Sequence, residues 1–347
     1  MIDYINRIIY VDNTTLSLFG SCKEKCRLGG VRGYRKRVQK PSLSFGHAIH
    51  AAIAGYYNAI AGGWQDETHR WNWFDESQRN IRPINHAKVA FLRDLGYTGA
   101  NIPVALESEE RRSIERGLAI VEAYFERYAD DPYDNILKPS GEPLVEVGFR
   151  YPLTRFADYE VVYVGYIDRI MRSMRTNEPK IFETKTTTRS LKQYVLAANP
   201  NRQLTGYFPA ARGLVPEIRE CLWDMIFVSN RAADMRKALT DRFAMWGVSQ
   251  DDFLRHPVTR TSMDISEFML DAEEDALEYC RWITSEKARW TRNTSQCSIY
   301  GGCEFRQRCC HNVLPEDEDR FMSLDFEVNR WEPWVSILRK EEEEKNG

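Results

Sequence analysis

Apolar and small residues recur at helical spacing over 14–28 and again through SLSFGHAIHAAIAGYYNAI, where Ile49, Ile53, Tyr56, Tyr57 and Ile60 mark the apolar positions. Ser42 or Ser44 can cap this second helix, and Lys40-Pro41 sets a break before it. Helical patterning continues to Arg127, with the stretch rich in Trp64, Trp71, Trp73 and Phe74 expected as a packed helical insert. DDPYDN at 130–135 is a turn cluster. The period then changes. Segments 144–151, 160–167 and 180–184 are short runs rich in Val, Ile, Tyr and Phe, which predicts three strands of one sheet. A helix is expected over 191–212, a further strand over 220–228, and a long helix from 265 to about 290. The closing KEEEEKNG reads as a solvated tail, and no internal repeat is present.

Composition narrows the class. The chain has 347 residues, 43% of them hydrophobic, with 48 Lys+Arg against 51 Asp+Glu for a net charge of -3. That length supports a sizeable core and excludes collagen-like, low-complexity and wholly disordered chains. A total this close to neutral argues against a simple polycation coating nucleic acid. A local basic groove is compatible with it, because residues 23–40 carry eight basic side chains against only Glu24. This stretch is expected beside the functional site, with Arg169, Arg172 and Arg175 extending the path and Tyr34, Trp64 and Trp71 as stacking surfaces. No apolar run reaches the roughly 18–20 residues that cross a bilayer, and the start lacks a basic then apolar leader. The expectation is a reducing cytoplasm and no membrane association.

The candidate chemistry lies in VVYVGYIDRI followed by KIFETKTTT. Residues i and i+2 of a strand share a face, so Glu183 and Lys185 project together, and a neighbouring strand brings Asp168 beside them. Two carboxylates and an ammonium on one sheet face are costly to bury without a purpose. A hard divalent cation supplies one, taking oxygen ligands from Asp168 and Glu183 while Lys185 offsets developing charge. The bland alternative is an ordinary exposed strand face.

G-x-x-D-R, then E-x-K about fifteen residues on, resembles the PD-(D/E)xK nuclease superfamily, within it the RecB-like branch holding the iron-sulfur nucleases of CRISPR adaptation and of the AddAB recombination complex. Phe45-Gly46-His47-Ala48-Ile49-His50 resembles the branch's first motif, and by its spacing His50 matches the metal-binding histidine; His47 is the alternative. Glu146 in VEVGFR matches the acidic residue that opens the sheet, and Gln203 with Tyr207 matches the Q-x-x-x-Y motif, one helix turn apart. The resemblance implies an α/β PD-(D/E)xK (restriction-endonuclease-like) core with a mixed central sheet flanked by helices. It implies Mg2+ or Mn2+ held by His50, Glu146, Asp168 and Glu183, with Lys185, Gln203 and Tyr207 completing the catalytic set.

Cysteine usage adds a second constellation. In a reducing compartment clustered thiols more often hold metal than form disulfides. Cys297, Cys303, Cys309 and Cys310 fall within fourteen residues, while Cys22 and Cys26 lie near the N-terminus and Cys221 and Cys280 stand alone. The iron-sulfur nucleases of the branch place one cysteine before the histidine motif and three after Q-x-x-x-Y. By that resemblance Cys22, Cys297, Cys303 and Cys309 are the ligands of a [4Fe-4S] cluster. The five-residue first gap departs from the shorter gap common in the branch. Cys26, Cys310 and His311 are alternative ligands, and Zn2+ an alternative metal.

The expected layout is a single elaborated nuclease domain over 1–347: mainly helical at 14–130, a catalytic α/β core at 140–230, a helix and cluster segment at 265–312, and an acidic tail at 335–347. The implied activity is metal-dependent hydrolysis of DNA phosphodiesters, exonucleolytic before endonucleolytic, acting on single strands or DNA ends. A helicase, recombinase or CRISPR adaptation partner fits the branch, as does phage origin. No G-x-x-x-x-G-K-[ST] motif is present, so no ATP motor is expected in the chain. The rivals are a catalytically inactive nuclease-like DNA-binding module and a zinc-stabilised structural or adaptor protein.

Overall fold

The β-branched and aromatic runs pair as strands and the alanine-rich segments before them coil into helices in a computed structural model, which describes residues 2–38, 41–61, 63–65, 71–73, 82–97, 112–299, 302–311, 313–330, 332, 335 and 337. In chain order the elements used below are β1 (Ile2–Asp3), β2 (Ile8–Val11), α1 (Asn13–Ser21), α2 (Pro41–Ala61), α3 (Pro83–Asp94), α4 (Ile114–Arg127), β3 (Tyr133–Asn135), β4 (Val145–Phe156), β5 (Tyr159–Ser173), β6 (Pro179–Thr187), α5 (Leu191–Val195), α6 (Arg202–Leu214), β7 (Glu220–Phe227), β8 (Phe253–Thr259), α7 (Ser262–Ile283), α8 (Arg306–Cys310) and α9 (Glu318–Met322). The chain divides into two compact units, one of residues 1–39, 148–166 and 261–347, the other of 40–147 and 167–260.

The second unit is a mixed sheet flanked by helices. Within it β5 runs antiparallel to β3 and to β6, β6 parallel to β7, and β7 antiparallel to β8. Helices α2, α3 and α4 pack together, and Phe45, Ile49, Phe91 and Tyr124 share a core with Phe182, Leu222 and Ile226 of the strands. Pro41 opens α2, where a missing N–H costs nothing, and the Ser113 hydroxyl caps α4 by accepting from the Arg116 N–H.

Beneath that apolar layer lies a buried charge network. Arg169 and Asp224 pair at 2.7 Å with side-chain exposures of 1% and 0%. The Tyr124 hydroxyl donates to Asp224, Arg255 reaches the same carboxylate at 3.4 Å, and Arg255 also pairs with Asp131 at 2.9 Å. Both guanidinium groups lie over the Phe182 ring, at 5.2 and 5.1 Å. The pair spans from β5 across β6 to β7, holding the middle strands in register. Arg169→Met leaves Asp224 short of its closest cation, and the expected loss is about 3 kcal/mol of unfolding free energy, read by chemical denaturation. A loss under about 1 kcal/mol would contradict that role.

In the first unit β2 pairs antiparallel with β1 and parallel with residues 160–163 of β5. Phe19 of α1 meets Tyr279 and Trp282 of α7 edge-on at 5.5 and 5.9 Å. A capping box of Thr261 and Asp264 fixes the start of α7.

Four expectations change. The tryptophan-rich insert is not helical where described: Gly63–Gln65 and Trp71–Trp73 pair antiparallel, as alternating aromatics favour. The single helix expected over 191–212 is two, α5 and α6, parted at Asn199-Pro200, because proline lacks the N–H and disfavours a helical residue before it. Helix α7 stops at Ile283, short of Trp290. Strand β8 was not expected, and its Pro257 suits the end of the strand order, where one ladder side is unpaired. Lys40, the side chains of Trp64 and Trp71, and most of the acidic tail lie outside the described residues.

Candidate functional site

Asp168 occupies the middle of β5, not its end. The paired register of β5 and β6 runs from Arg172 opposite Pro179 to Arg169 opposite Phe182. Beyond it the Thr184 N–H donates to the Asp168 carboxylate at 2.7 Å. His50 arrives from α2, whose Gly46 permits a close approach to β6: a Cβ there would stand 3.1 Å from the Thr186 hydroxyl. Its Nδ1 is 3.3 Å from Asp168 Oδ2. Glu146 comes from β4 with φ at +49°, a left-handed backbone that a non-glycine residue adopts only under constraint. Donor atoms of His50, Glu146 and Asp168 all lie within 4.8 Å of one another.

Glu183 is 1% exposed and its Oε1 pairs with Lys185 Nζ at 2.5 Å. Its other oxygen is buried without a hydrogen-bond partner among the described residues. A carboxylate with an orphaned oxygen, beside a nitrogen and two further carboxylates, is a donor set that fits a hard divalent cation. Gln203 donates to the Tyr207 hydroxyl at 2.6 Å on α6, which packs against β6. The structure therefore brings His50, Glu146, Asp168, Glu183 and Lys185 together and joins Gln203 to Tyr207.

Electrostatics treats the five as one group. Burial first, and the Asp168 charge second, push Glu146 and Glu183 each up to about 7. Burial works against ionised Asp168 too, but His50, Lys185 and the Thr184 N–H outweigh it and hold Asp168 at about 2. His50 is raised despite burial by the Asp168 charge. A carboxyl raised in the fold binds protons that the unfolded chain has released, so the metal-free chain loses stability as pH climbs from about 4.5 through about 7. A divalent cation binds the ionised carboxylates and offsets that loss. The rise in melting temperature on adding Mn2+ is therefore expected to be larger near pH 8 than near pH 5.5. An equal rise at both would show that these carboxyls do not meet the ion.

The cysteines form a separate pocket in the first unit. All eight are free. Cys22, Cys297, Cys303, Cys309 and Cys310 line one cavity of about 320 Å³. The Cys303 N–H closes onto the Cys297 carbonyl at 2.9 Å, the Asn293 N–H points at Cys22 Sγ at 3.4 Å, and Arg292 donates to the Cys309 carbonyl at 2.7 Å. Cys26 faces elsewhere: it is 0% exposed, its thiol directed at the Thr15 carbonyl, and burial pushes it up to about 12. His311 bonds its own helix through the Gln307 carbonyl. Cys22, rather than Cys26 or His311, thus shares the cavity with the C-terminal trio.

The basic stretch is largely spent on partners within its unit. Lys23 pairs with Glu278 and lies over the Phe19 and Trp282 rings, Arg27 pairs with Glu24 and Glu318, Arg32 with Asp319, and Arg35 donates to the Gly29 carbonyl. Tyr34 is 3% exposed. Lys36 and Arg37 are exposed, whereas Arg169 is buried and does not extend the stretch. The Arg169–Asp224–Arg255 network was missed altogether; Asp224 inside the apolar run ECLWDMIF was the available signal, since a lone carboxylate there requires a buried cation.

No protein-family model matches the chain. No curated protein matches it either. Among solved structures it is similar to one described as the crystal structure of SSO0001, at 12% identity over 65% of this chain and 81% of that one, with a TM-score of 0.30. Likeness at that score carries no argument about fold or activity. No helix among the described residues is long and apolar enough to cross a membrane.

Proposed function

We propose that this chain is a divalent-metal-dependent DNA exonuclease built on a PD-(D/E)xK core. The observation that carries the reading is the convergence of His50, Glu146 and Asp168 within 4.8 Å, next to a buried Glu183 paired with Lys185. His50, Asp168 and Glu183 would hold Mg2+ or Mn2+, with Glu146 as a further ligand. A bound ion would supply Lewis acidity at the phosphate and a water of lowered pKa. Asp168 keeps its charge at every physiological pH and so anchors the site. Lys185, held by Glu183, sets an ammonium where charge builds up on the phosphate. The Glu146 backbone spends conformational energy to aim its carboxylate inward, as functional positions commonly do.

For the cysteine pocket the reading is a structural [4Fe-4S] cluster on Cys22, Cys297, Cys303 and Cys309. Four thiolates on one zinc ion would stand about 3.8 Å apart, whereas among the described residues no three of these sulfurs lie within 4.8 Å of one another. The decisive experiment is incubation of purified protein with end-labelled single- and double-stranded DNA, with Mg2+, Mn2+ or chelator. Metal-dependent release of mononucleotides or short oligonucleotides supports the proposal; intact DNA under every condition, with DNA nonetheless bound, would turn it to a binding module.

A further inference from the structure

Two glutamates and two arginines close a buried ring behind the cysteine pocket. Arg27 donates from Nε and Nη2 to Glu24 at 2.7 and 2.9 Å, and from Nη1 and Nη2 to Glu318 at 2.7 and 2.6 Å. Arg308 donates from Nε to Glu318 at 2.8 Å, and its Nη1 stands 3.5 Å from Glu24. The side chains of Glu24, Glu318 and Arg308 are 6%, 5% and 9% exposed. Burial disfavours an ionised Glu318, yet its hydrogen bonds from Arg27 and Arg308 hold it below the usual carboxylate range. Arg27 uses Nε, Nη1 and Nη2 on the two carboxylates, and Arg308 turns Nε and Nη2 to Glu318.

The ring's position in sequence gives it meaning. Glu24 lies two residues after Cys22, and Arg308 immediately precedes Cys309 in α8. The Glu24 N–H also bonds the Thr291 carbonyl at 3.1 Å, and Asn293 Nδ2 bonds the Ser21 carbonyl at 2.9 Å. Four charges in a low-dielectric site are a poor way to gain stability, because apolar replacements of like volume commonly do as well or better. They are a good way to fix geometry, since a guanidinium meets a carboxylate in a planar, two-point register.

We propose that the ring of Glu24, Arg27, Arg308 and Glu318 is a positioning device that sets Cys22 against Cys309 before any metal arrives. It rests on the cluster reading for its purpose and not for its test. Arg292 and Asn293 also bridge the turns bearing Cys309 and Cys22, and the ring adds a charged, directional register to that bridge. With the ring in place, the pocket exists in the metal-free chain.

The test uses the full chain, reduced, metal-free and anaerobic, treated with a short bismaleimide and read by mass spectrometry for a Cys22–Cys309 link. The parent is expected to form that link. Arg308→Met is expected to form it at least tenfold less, and Arg308→Lys, which keeps the charge but not the fork, to fall between. A fourfold apolar variant, Glu24→Leu, Arg27→Met, Arg308→Met and Glu318→Leu, leaves no buried charge unpaired. It is expected to keep the parent's circular dichroism and melting temperature while losing the link. Link formation within twofold of the parent in that variant overturns the proposal, and so does its failure to fold, which would assign the ring to stability. Reconstitution with Fe2+ and sulfide runs alongside. A parent that takes up no iron while the linking pattern holds would refute the cluster reading and leave the positioning role standing.

Discussion

Replacing Lys185 by alanine is expected to lower metal-dependent DNA hydrolysis by about 10²–10³-fold, because an ammonium at developing phosphate charge is worth that much in a dry site. Lys185 Nζ sits 2.5 Å from Glu183, whose other oxygen has no hydrogen-bond partner among the described residues, so the cation is committed to the same group of carboxylates as the candidate metal ligands. Removing it takes away one positive charge and leaves the donors in place. The loss should therefore fall on kcat, with Mn2+ still raising the melting temperature. Lys185→Arg should restore little, since a planar fork does not reproduce a compact ammonium beside Glu183. Equal activity in parent and alanine variant would trace the hydrolysis to another site or to a contaminant. An alanine variant that also loses its response to Mn2+ would place Lys185 among the groups that assemble the site, not those that act on the phosphate.

Cys303→Ala carries the other large effect. Cys303 lies in the middle of the C-terminal trio and lines the cavity, and because alanine keeps the N–H bond to the Cys297 carbonyl, the substitution takes away one thiol and leaves the turn in place. Structural metal sites contribute on the order of 10 kcal/mol to folding, because the unfolded chain has no preformed site. The variant is expected to purify without iron or sulfide and to melt at least about 10 °C lower, at a few degrees per kcal/mol for a chain of this size. The pocket lies in the first unit and the carboxylate site in the second. Mn2+ should thus still protect the second unit from proteolysis. Unchanged iron content and melting temperature would remove Cys303 from the ligand set.

The carboxylate site was readable because its parts obey short-range rules. The strand period places Glu183 and Lys185 together, and one helix turn links Gln203 to Tyr207, where the structure shows a hydrogen bond. What sequence could not supply was depth. Asp168 was expected at a strand end and lies mid-strand, its carboxylate taking the Thr184 N–H beyond the paired register of β5 and β6, and nothing in VGYIDRI announces that. The left-handed Glu146 was equally invisible, since its backbone is held by tertiary packing against local preference. Within residues 23–40 the sequence could not show that Lys23, Arg27 and Arg32 meet partners some 250–290 residues away, Glu278, Glu318 and Asp319. For the cysteines, proximity came from spacing within 297–310, whereas the choice of Cys22 over Cys26 needed the direction of each thiol.

The discontinuous make-up of the two units has a consequence for how the molecule is born. The second unit is complete once residue 260 has left the ribosome, and can fold while synthesis continues. The first unit needs residues 1–39, 148–166 and 261–347 together. At roughly 5–20 residues per second, Cys22 waits on the order of ten seconds or more for Cys297 to exist. During that interval Cys22 has no C-terminal cysteine to share its cavity with. The carboxylate site is therefore built early and the cysteine pocket last.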